Sequence, residues 1–248
     1  MAAQKTKKRR KKKHILRKLV LLVLLVFVCF AVAAFTPYFN INEIRIEGNQ
    51  KVETQLVQEA SGLDTGVNLF RIKLSTVQKN IAKIPYINSV QVKREFPDGI
   101  AIRVTESEPI ACVPFLDGAV LIDKNGKALE KVTMDKTSNY LAIMGSEMVN
   151  FEPGEKIIVE NQKKLQIILA TVAEIVHNNL MGTVVEINVE DTSSIEYKLN
   201  GGRLTVLMGA SDELAYKTRF LKQILSELGD NPKGVVDLTA KDPTYRLK

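Results

Sequence analysis

Hydrophobic positions follow three different rules along the chain. Residues 19–35 read LVLLVLLVFVCFAVAAF, and no charge stands between Lys18 and Glu43. A bilayer core about 30 Å thick takes ~20 residues at 1.5 Å rise each. Residues 19–39 are therefore expected to form one transmembrane helix, with Tyr38 and Phe39 at its outer interface. A cleaved signal peptide is the rival reading, because Ala31-Val32-Ala33 resembles a cleavage site. The length of the apolar run and the size of the charged region before it favour a retained anchor.

Beyond residue 40 the spacing changes. Ile44 and Ile46 alternate with Arg45 and Glu47, so a strand is expected over Ile41–Glu47. Gly48-Asn49 breaks it. Leu56, Val57 and Ala60 share a face of a helix expected over Val52–Ser61, with Gly62 as its stop. A loop with adjacent Leu69 and Phe70 follows. A second helix is expected over Ser75–Ile84, carrying Val77, Ile81 and Ile84, capped by Ser75 and ended by Pro85. Val90 and Val92 then alternate in one strand and Ile100, Ile102 and Val104 in the next, joined by the turn Pro97-Asp98-Gly99. The order β-α-α-β-β implies a three-stranded sheet with two helices on one face. Lys93, Arg94, Glu95, Arg103, Glu106 and Glu108 are assigned to its solvated face.

After residue 109 the pattern is mostly strand. LIDKNGKAL places Asn125-Gly126 between apolar flanks, a hairpin. Residues 160–178 form an amphipathic helix along Leu165, Ile168, Leu169, Val172, Ile175 and Val176. Strands are expected over Val184–Val189, Ile195–Leu199 and Leu204–Met208, and another helix over Glu213–Leu228. Val235, Val236 and Leu238 suggest a terminal strand over Gly234–Ala240. The fold class is α+β: one membrane helix, a β-α-α-β-β domain, and a mostly-β domain with two helices.

Charge sharpens this division. The net charge is +7, yet residues 1–18 alone carry ten Lys and Arg and no acid. The rest of the chain carries −3, so the folded part is mildly acidic and specific nucleic-acid binding is not expected. The positive-inside rule keeps the basic tail cytoplasmic and sends everything past residue 40 to the far side. Each Lys or Arg near an anionic leaflet adds ~1 kcal/mol of attraction. Cys29 lies in the apolar run and Cys112 far outside it, so no disulfide staple is expected.

No catalytic constellation is legible. His177 is the sole histidine beyond the tail and sits near a helix end. Cys112 has no histidine or second cysteine beside it and reads as a small buried hydrophobe. Gly201-Gly202 reads as a hairpin turn, Glu190-Asp191 as a loop, and no metal-ligand spacing occurs. No catalytic residue, metal or cofactor is assigned. A pair of carboxylates converging in space would make the chain a membrane-anchored wall-modifying hydrolase, the alternative to a binding protein.

FNINEIRIEGNQKV, GVNLFRI and KIPYINSVQVKREFPDGIAIRVTESEPIA together resemble the POTRA domain of the FtsQ/DivIB family of bacterial cell-division proteins. The matching positions are Gly48-Asn49, Asn68-Leu69-Phe70, Pro85, Ile87, Val90, Val92, Arg94, Pro97, Glu106 and Pro109. The resemblance implies a basic cytoplasmic tail over 1–18, a membrane helix over 19–39, a POTRA domain over 40–108, a C-terminal β domain over 109–240 and a short tail over 241–248. It implies a non-enzymatic scaffold at the division septum, with FtsB/DivIC-like and FtsL-like single-pass proteins as partners. Partner contact is expected by strand addition at the last strand, through Val235, Val236, Asp237, Leu238, Thr239 and Ala240, with Tyr245 as the aromatic residue beyond it.

Overall fold

The computed structural model describes residues 3–34, 36–229, 232–240 and 242–247. Phe35 of the expected membrane helix, Met1 and Ala2 of the basic tail, and Lys241 and Lys248 of the C-terminal tail lie outside the described residues. Helix α1 runs Ala3–Ala34 and so continues back through the basic block. Within it, Ile15–Val32 is long and apolar enough to cross a membrane. Its 18 residues rise about 27 Å, and its apolar side chains face outward all round.

The remainder divides into two compact units, one of residues up to Ile81 with Ser89–Val104, the other of Ala82–Asn88 with everything from Thr105. The first unit contains β1 (Glu43–Glu47), α2 (Thr54–Ser61), α3 (Leu74–Ile81), and most of β2 (Ile87–Glu95) and β3 (Gly99–Glu106). The three strands form one sheet in the order β1-β3-β2. β1 and β3 run parallel, with Ile44 opposite Ile100 and Ile46 opposite Ile102. Alternation puts Ile100, Ile102 and Val104 on one face, and all three are buried with Val57, Leu69, Val77 and Ile81. Gly62 ends α2 as expected: its φ of +63° is left-handed, and its N–H donates to Glu59 O.

Three details depart from the sequence reading. Leu56 is exposed, because Val57 takes the inward position on the short α2. Ser75 is not a cap, since α3 already begins at Leu74 and Ser75 lies inside its first turn. Arg94 does not belong to the solvated face. It is half-buried, and its guanidinium donates to Leu69 O at 2.9 Å and Ile72 O at 2.7 Å, tying β2 to the Asn68-Leu69-Phe70 loop.

The second unit contains β4 (Ala111–Phe115), β5 (Gly118–Ile122), β6 (Ala128–Thr133), β7 (Leu141–Met144), β8 (Met148–Asn150), β9 (Ile158–Val159), α4 (Gln162–His177), β10 (Val184–Asn188), β11 (Ile195–Leu199), β12 (Leu204–Gly209), α5 (Leu214–Leu228), β13 (Gly234–Asp237) and β14 (Thr244–Arg246). Nine of its strands form one sheet, β14-β13-β12-β11-β10-β7-β4-β5-β6, and β8 pairs with β9. Helix α4 starts where Asn161 Oδ1 accepts the N–H groups of Lys163 and Lys164. Its stripe of Leu165, Ile168, Val172 and Ile175 is buried in one cluster with Ile143, Ile187, Tyr197, Val206 and Val236 of the sheet and Leu221 of α5. Each such aliphatic side chain contributes about 1.5–3 kcal/mol of burial. The expected hairpin at Asn125-Gly126 is present: Asp123 carboxylate accepts the N–H groups of Asn125 and Lys127.

The chain does not end on β13. Residues after the bend return as β14, which becomes the last strand of the sheet. The expected strand over Gly234–Ala240 stops at Asp237, whose carboxylate accepts both the Thr239 N–H at 2.9 Å and the Thr239 hydroxyl at 2.6 Å. This local turn competes with ladder pairing and terminates the strand.

Candidate partner-binding edge

A sheet can accept another strand only where backbone N–H and C=O groups are unpaired. β13 has none to offer over its length. It runs parallel to β12, with Val235 opposite Thr205 and Val236 opposite Val206. On its other side it runs antiparallel to β14, with Val235 opposite Arg246, Val236 opposite Tyr245 and Asp237 opposite Thr244. The edge expected at β13 therefore lies one strand further out, at β14.

The residues named from sequence divide accordingly. Val236 and Leu238 are buried, and Val236 packs in the core beneath α5. Val235 and Asp237 point to the opposite side and are half-buried. The Asp237 carboxyl is held below the usual carboxylate range by the Thr239 hydroxyl first and the Thr239 N–H second, so it stays ionised as a turn acceptor. Thr239 and Ala240 are exposed in the bend. Tyr245 belongs to β14 itself, is 37% exposed, and donates its hydroxyl proton to Lys233 O at 2.7 Å.

Gly234 lets β14 come this close. Its φ is +126°, and a Cβ there would run into the Arg246 carbonyl oxygen. The three residues of β14 are all exposed. Because Tyr245 is opposite Val236, both side chains lie on the face that α5 covers. Between α5 and these strands runs an open groove of about 450 Å³, lined by Phe220, Ile224, Leu228, Val236, Pro243 and Tyr245. A second hollow shares Phe220 and Pro243 and extends past Tyr216, Leu238 and Thr239. Tyr216 and Phe220 stack with ring centroids 6.0 Å apart, and Tyr216 is 63% exposed.

The opposite edge of the sheet is less available. At β6, the Ala128 N–H donates to Glu155 O and the Ala128 carbonyl accepts the Gly154 N–H, so the loop 152–157 already occupies the start of that strand. Further along, Glu130 accepts the Tyr86 hydroxyl and Lys131 pairs with Asp117, charges of the kind that blunt an edge.

The residues considered for chemistry lie apart. His177 is the last residue of α4. Cys112 is buried on β4, and burial pushes its thiol up to about 11, far from a reactive thiolate. Gly201 and Gly202 form the left-handed turn between β11 and β12. Asp191 is a loop residue that accepts from Ser193. Among the described residues no three His, Cys, Asp or Glu side chains gather into a metal-binding group. β14 and its groove were not legible as such in the sequence: Tyr245 was the signal, but Pro243 and the charges around it hid a three-residue strand.

Residues 39–107 match the family model of the POTRA domain, FtsQ-type, and residues 115–239 match that of the cell division protein FtsQ/DivIB, C-terminal. Cell division protein DivIB of Clostridium acetobutylicum is 29% identical over 227 residues, covering 91% of this chain and 88% of the relative. DivIB of Clostridium botulinum strain Hall is 27% identical over 248 residues, covering 98% and 94%. A solved structure, the major extracytoplasmic domain of DivIB from Geobacillus stearothermophilus, is 20% identical with a TM-score of 0.34 over 52% of this chain and 99% of that one, a likeness too slight to carry an inference. The matches and the fold define a POTRA-bearing protein with one membrane-length helix among the described residues. The chain belongs to the FtsQ/DivIB family of bacterial cell-division proteins.

Proposed function

We propose that this chain is a non-enzymatic scaffold of the division machinery, tethered by α1 with its basic end in the cytoplasm and both folded units outside, at the septum. Its work is to hold single-pass division proteins of the FtsB/DivIC and FtsL kind by adding a partner strand to β14. The observation that carries this reading is the exposed β14 edge lying beside a groove of apolar side chains that Glu227 and Thr244 also line. A strand laid against β14 gains main-chain hydrogen bonds, and alternate side chains facing α5 enter the groove beside Tyr245 and Phe220. The backbone alone would accept any extended chain; the groove selects one with apolar residues at alternate positions.

Proline tests the edge directly, because it removes one N–H and fixes φ. Thr244, Tyr245 and Arg246 are changed to proline one at a time in the full chain, and capture of a DivIC-like partner ectodomain is measured beside the melting temperature. N–H groups alternate between β13 and the outside, so the three variants should separate. At least one is expected to keep the parent melting temperature and lose capture. If all three either unfold the second unit or bind as the parent does, strand addition at β14 is wrong.

A further inference from the structure

The first unit exposes an aromatic patch that the partner edge does not use. Phe39 follows the membrane-length helix, Phe70 sits in the loop between α2 and α3, and Phe96 lies at the turn between β2 and β3. Their rings meet: Phe39 is 5.4 Å from Phe70 and 6.3 Å from Phe96, and Phe70 is 5.7 Å from Phe96, centroid to centroid. Tyr38 stands edge-on to Phe39 at 5.2 Å. A core would cover such a cluster, yet Tyr38 is 68% exposed and Phe96 62%, with Phe39 and Phe70 half-buried between them. Contiguous exposed aromatic surface marks a contact site.

The chain path says what it contacts. Thr36 O accepts from Asn68 Nδ2, and Asn68 Oδ1 in turn accepts the Phe70 N–H. Ile41 exchanges backbone hydrogen bonds with Val67 and Gly66. The Asn42 N–H donates to Asp98 O, and Asn42 Nδ2 donates to the Asp98 carboxylate. The segment leaving the helix is thus bonded to both loops that carry the other two rings. From Ala34 to Phe39 is five residues, at most about 17 Å of chain. The loops bearing Phe70 and Phe96 therefore lie at the end of the unit where the chain leaves the membrane, and the Gly48 turn lies at the other end of β1. Arg94 holds the Phe70 loop in place through Leu69 O and Ile72 O. Arg71, exposed beside Phe70, adds a cation suited to lipid phosphate.

We propose that Phe96 and Phe70, with Tyr38 and Phe39, seat the POTRA unit on the bilayer, their rings entering the interface between headgroups and acyl chains. Aromatic rings favour that layer, which lies within a few ångströms of where the helix emerges. The unit is then held upright at the membrane by two attachments, the helix and the aromatic patch, in place of one flexible tether. This rests on α1 spanning the bilayer.

The chain contains no tryptophan, so a single introduced one is an unambiguous probe. The full chain is reconstituted in phosphatidylcholine–phosphatidylglycerol vesicles carrying bromine near the top of the acyl chains. Three variants are compared: Tyr38→Trp, Phe96→Trp, and Lys51→Trp at the far end of the unit. Tyr38→Trp reads the anchor alone. Phe96→Trp is expected to be quenched by the brominated lipid about as strongly as Tyr38→Trp and to emit at shorter wavelength, whereas Lys51→Trp is quenched by aqueous acrylamide and not by lipid. Quenching at Tyr38 but not at Phe96 overturns the seating and leaves the anchor intact. Absence of quenching at both overturns the anchor and the seating with it. Shielding of Phe96→Trp from acrylamide that appears only when a partner ectodomain is added assigns the patch to protein and also overturns the proposal. Phe96 is exposed, so its replacement should leave the melting temperature unchanged; where it does not, Phe70→Trp is read in its place and must be quenched by the lipid for the seating to stand.

Discussion

At the residue scale, Arg94 separates what a sequence pattern reveals from what it conceals. Its place in alternation with Val92 is legible, and so is the charge. Two residues on from Val92, it shares that residue's face of the strand, and only its charge assigns it to solvent. The half-buried guanidinium instead donates to two loop carbonyls, Leu69 O, which also accepts the Ile72 N–H, and Ile72 O. Nothing in local spacing reveals a carbonyl 22 or 25 residues away. Hydrogen bonds to a charged group are worth about 1.5–3 kcal/mol each, less whatever water restores. Arg94→Ala should therefore destabilise the first unit by about 2–3 kcal/mol and speed amide exchange over residues 66–73. Arg94→Lys should recover only part, because one ammonium cannot span both carbonyls as the planar fork does. Lys93→Ala, at an exposed neighbour, should stay within about 0.5 kcal/mol of the parent. Chemical denaturation of the three variants measures this, and equal effects at Arg94 and Lys93 would return Arg94 to the solvated face.

At the scale of elements, long periodic segments declare themselves in the sequence and short ones do not. The stripe of α4 and the strands β10, β11 and β12 fall within a residue or two of their expected limits, because each carries enough alternation or helical spacing to declare itself. β4 and β7 carry no such signal: ACVPF is a nearly continuous apolar run and LAIM is four residues long, so neither shows a period. β14 was hidden for a different reason. Three exposed residues after a proline carry no apolar rhythm, and the strand exists because β13 offers a ladder and Gly234 leaves room for it. That room is testable. Gly234→Ala adds a Cβ against the Arg246 carbonyl at a φ that other residues seldom adopt. β14 should detach while β13 keeps its pairing with β12. Amide exchange in Thr244–Arg246 should become fast with little loss elsewhere, and partner capture should fall in parallel. Preserved protection at β14 in this variant would show that the glycine is not what admits the strand.

At the scale of the whole molecule, the order of parts was legible and the wiring of the second unit was not. A basic block, one apolar run, a β-α-α-β-β unit and a mostly-β remainder follow from composition and period alone. The parallel pairings of β4 with β7, β7 with β10 and β12 with β13 join segments separated by a hairpin in the first case and by helices in the other two, and no local signal specifies them. The proposed orientation in the membrane, by contrast, rests on charge. Ten cations precede the apolar run and no acid offsets them. Translocating them would oppose both the positive-inside bias and their attraction to anionic lipid, ~1 kcal/mol for each one near the surface. A reporter active only outside the cytoplasm, fused after Lys248, should therefore be active and should sediment with membranes after alkaline washing. Replacing Lys5 to Lys13 by serine should reduce that activity and raise the fraction inserted the other way, while the apolar run still holds the chain in the bilayer. Mass analysis of the same material decides between anchor and signal. An intact chain supports the anchor, and a species beginning after Ala33 and released from the membrane would show that the apolar run is a signal removed after export, which leaves the two folded units without a tether.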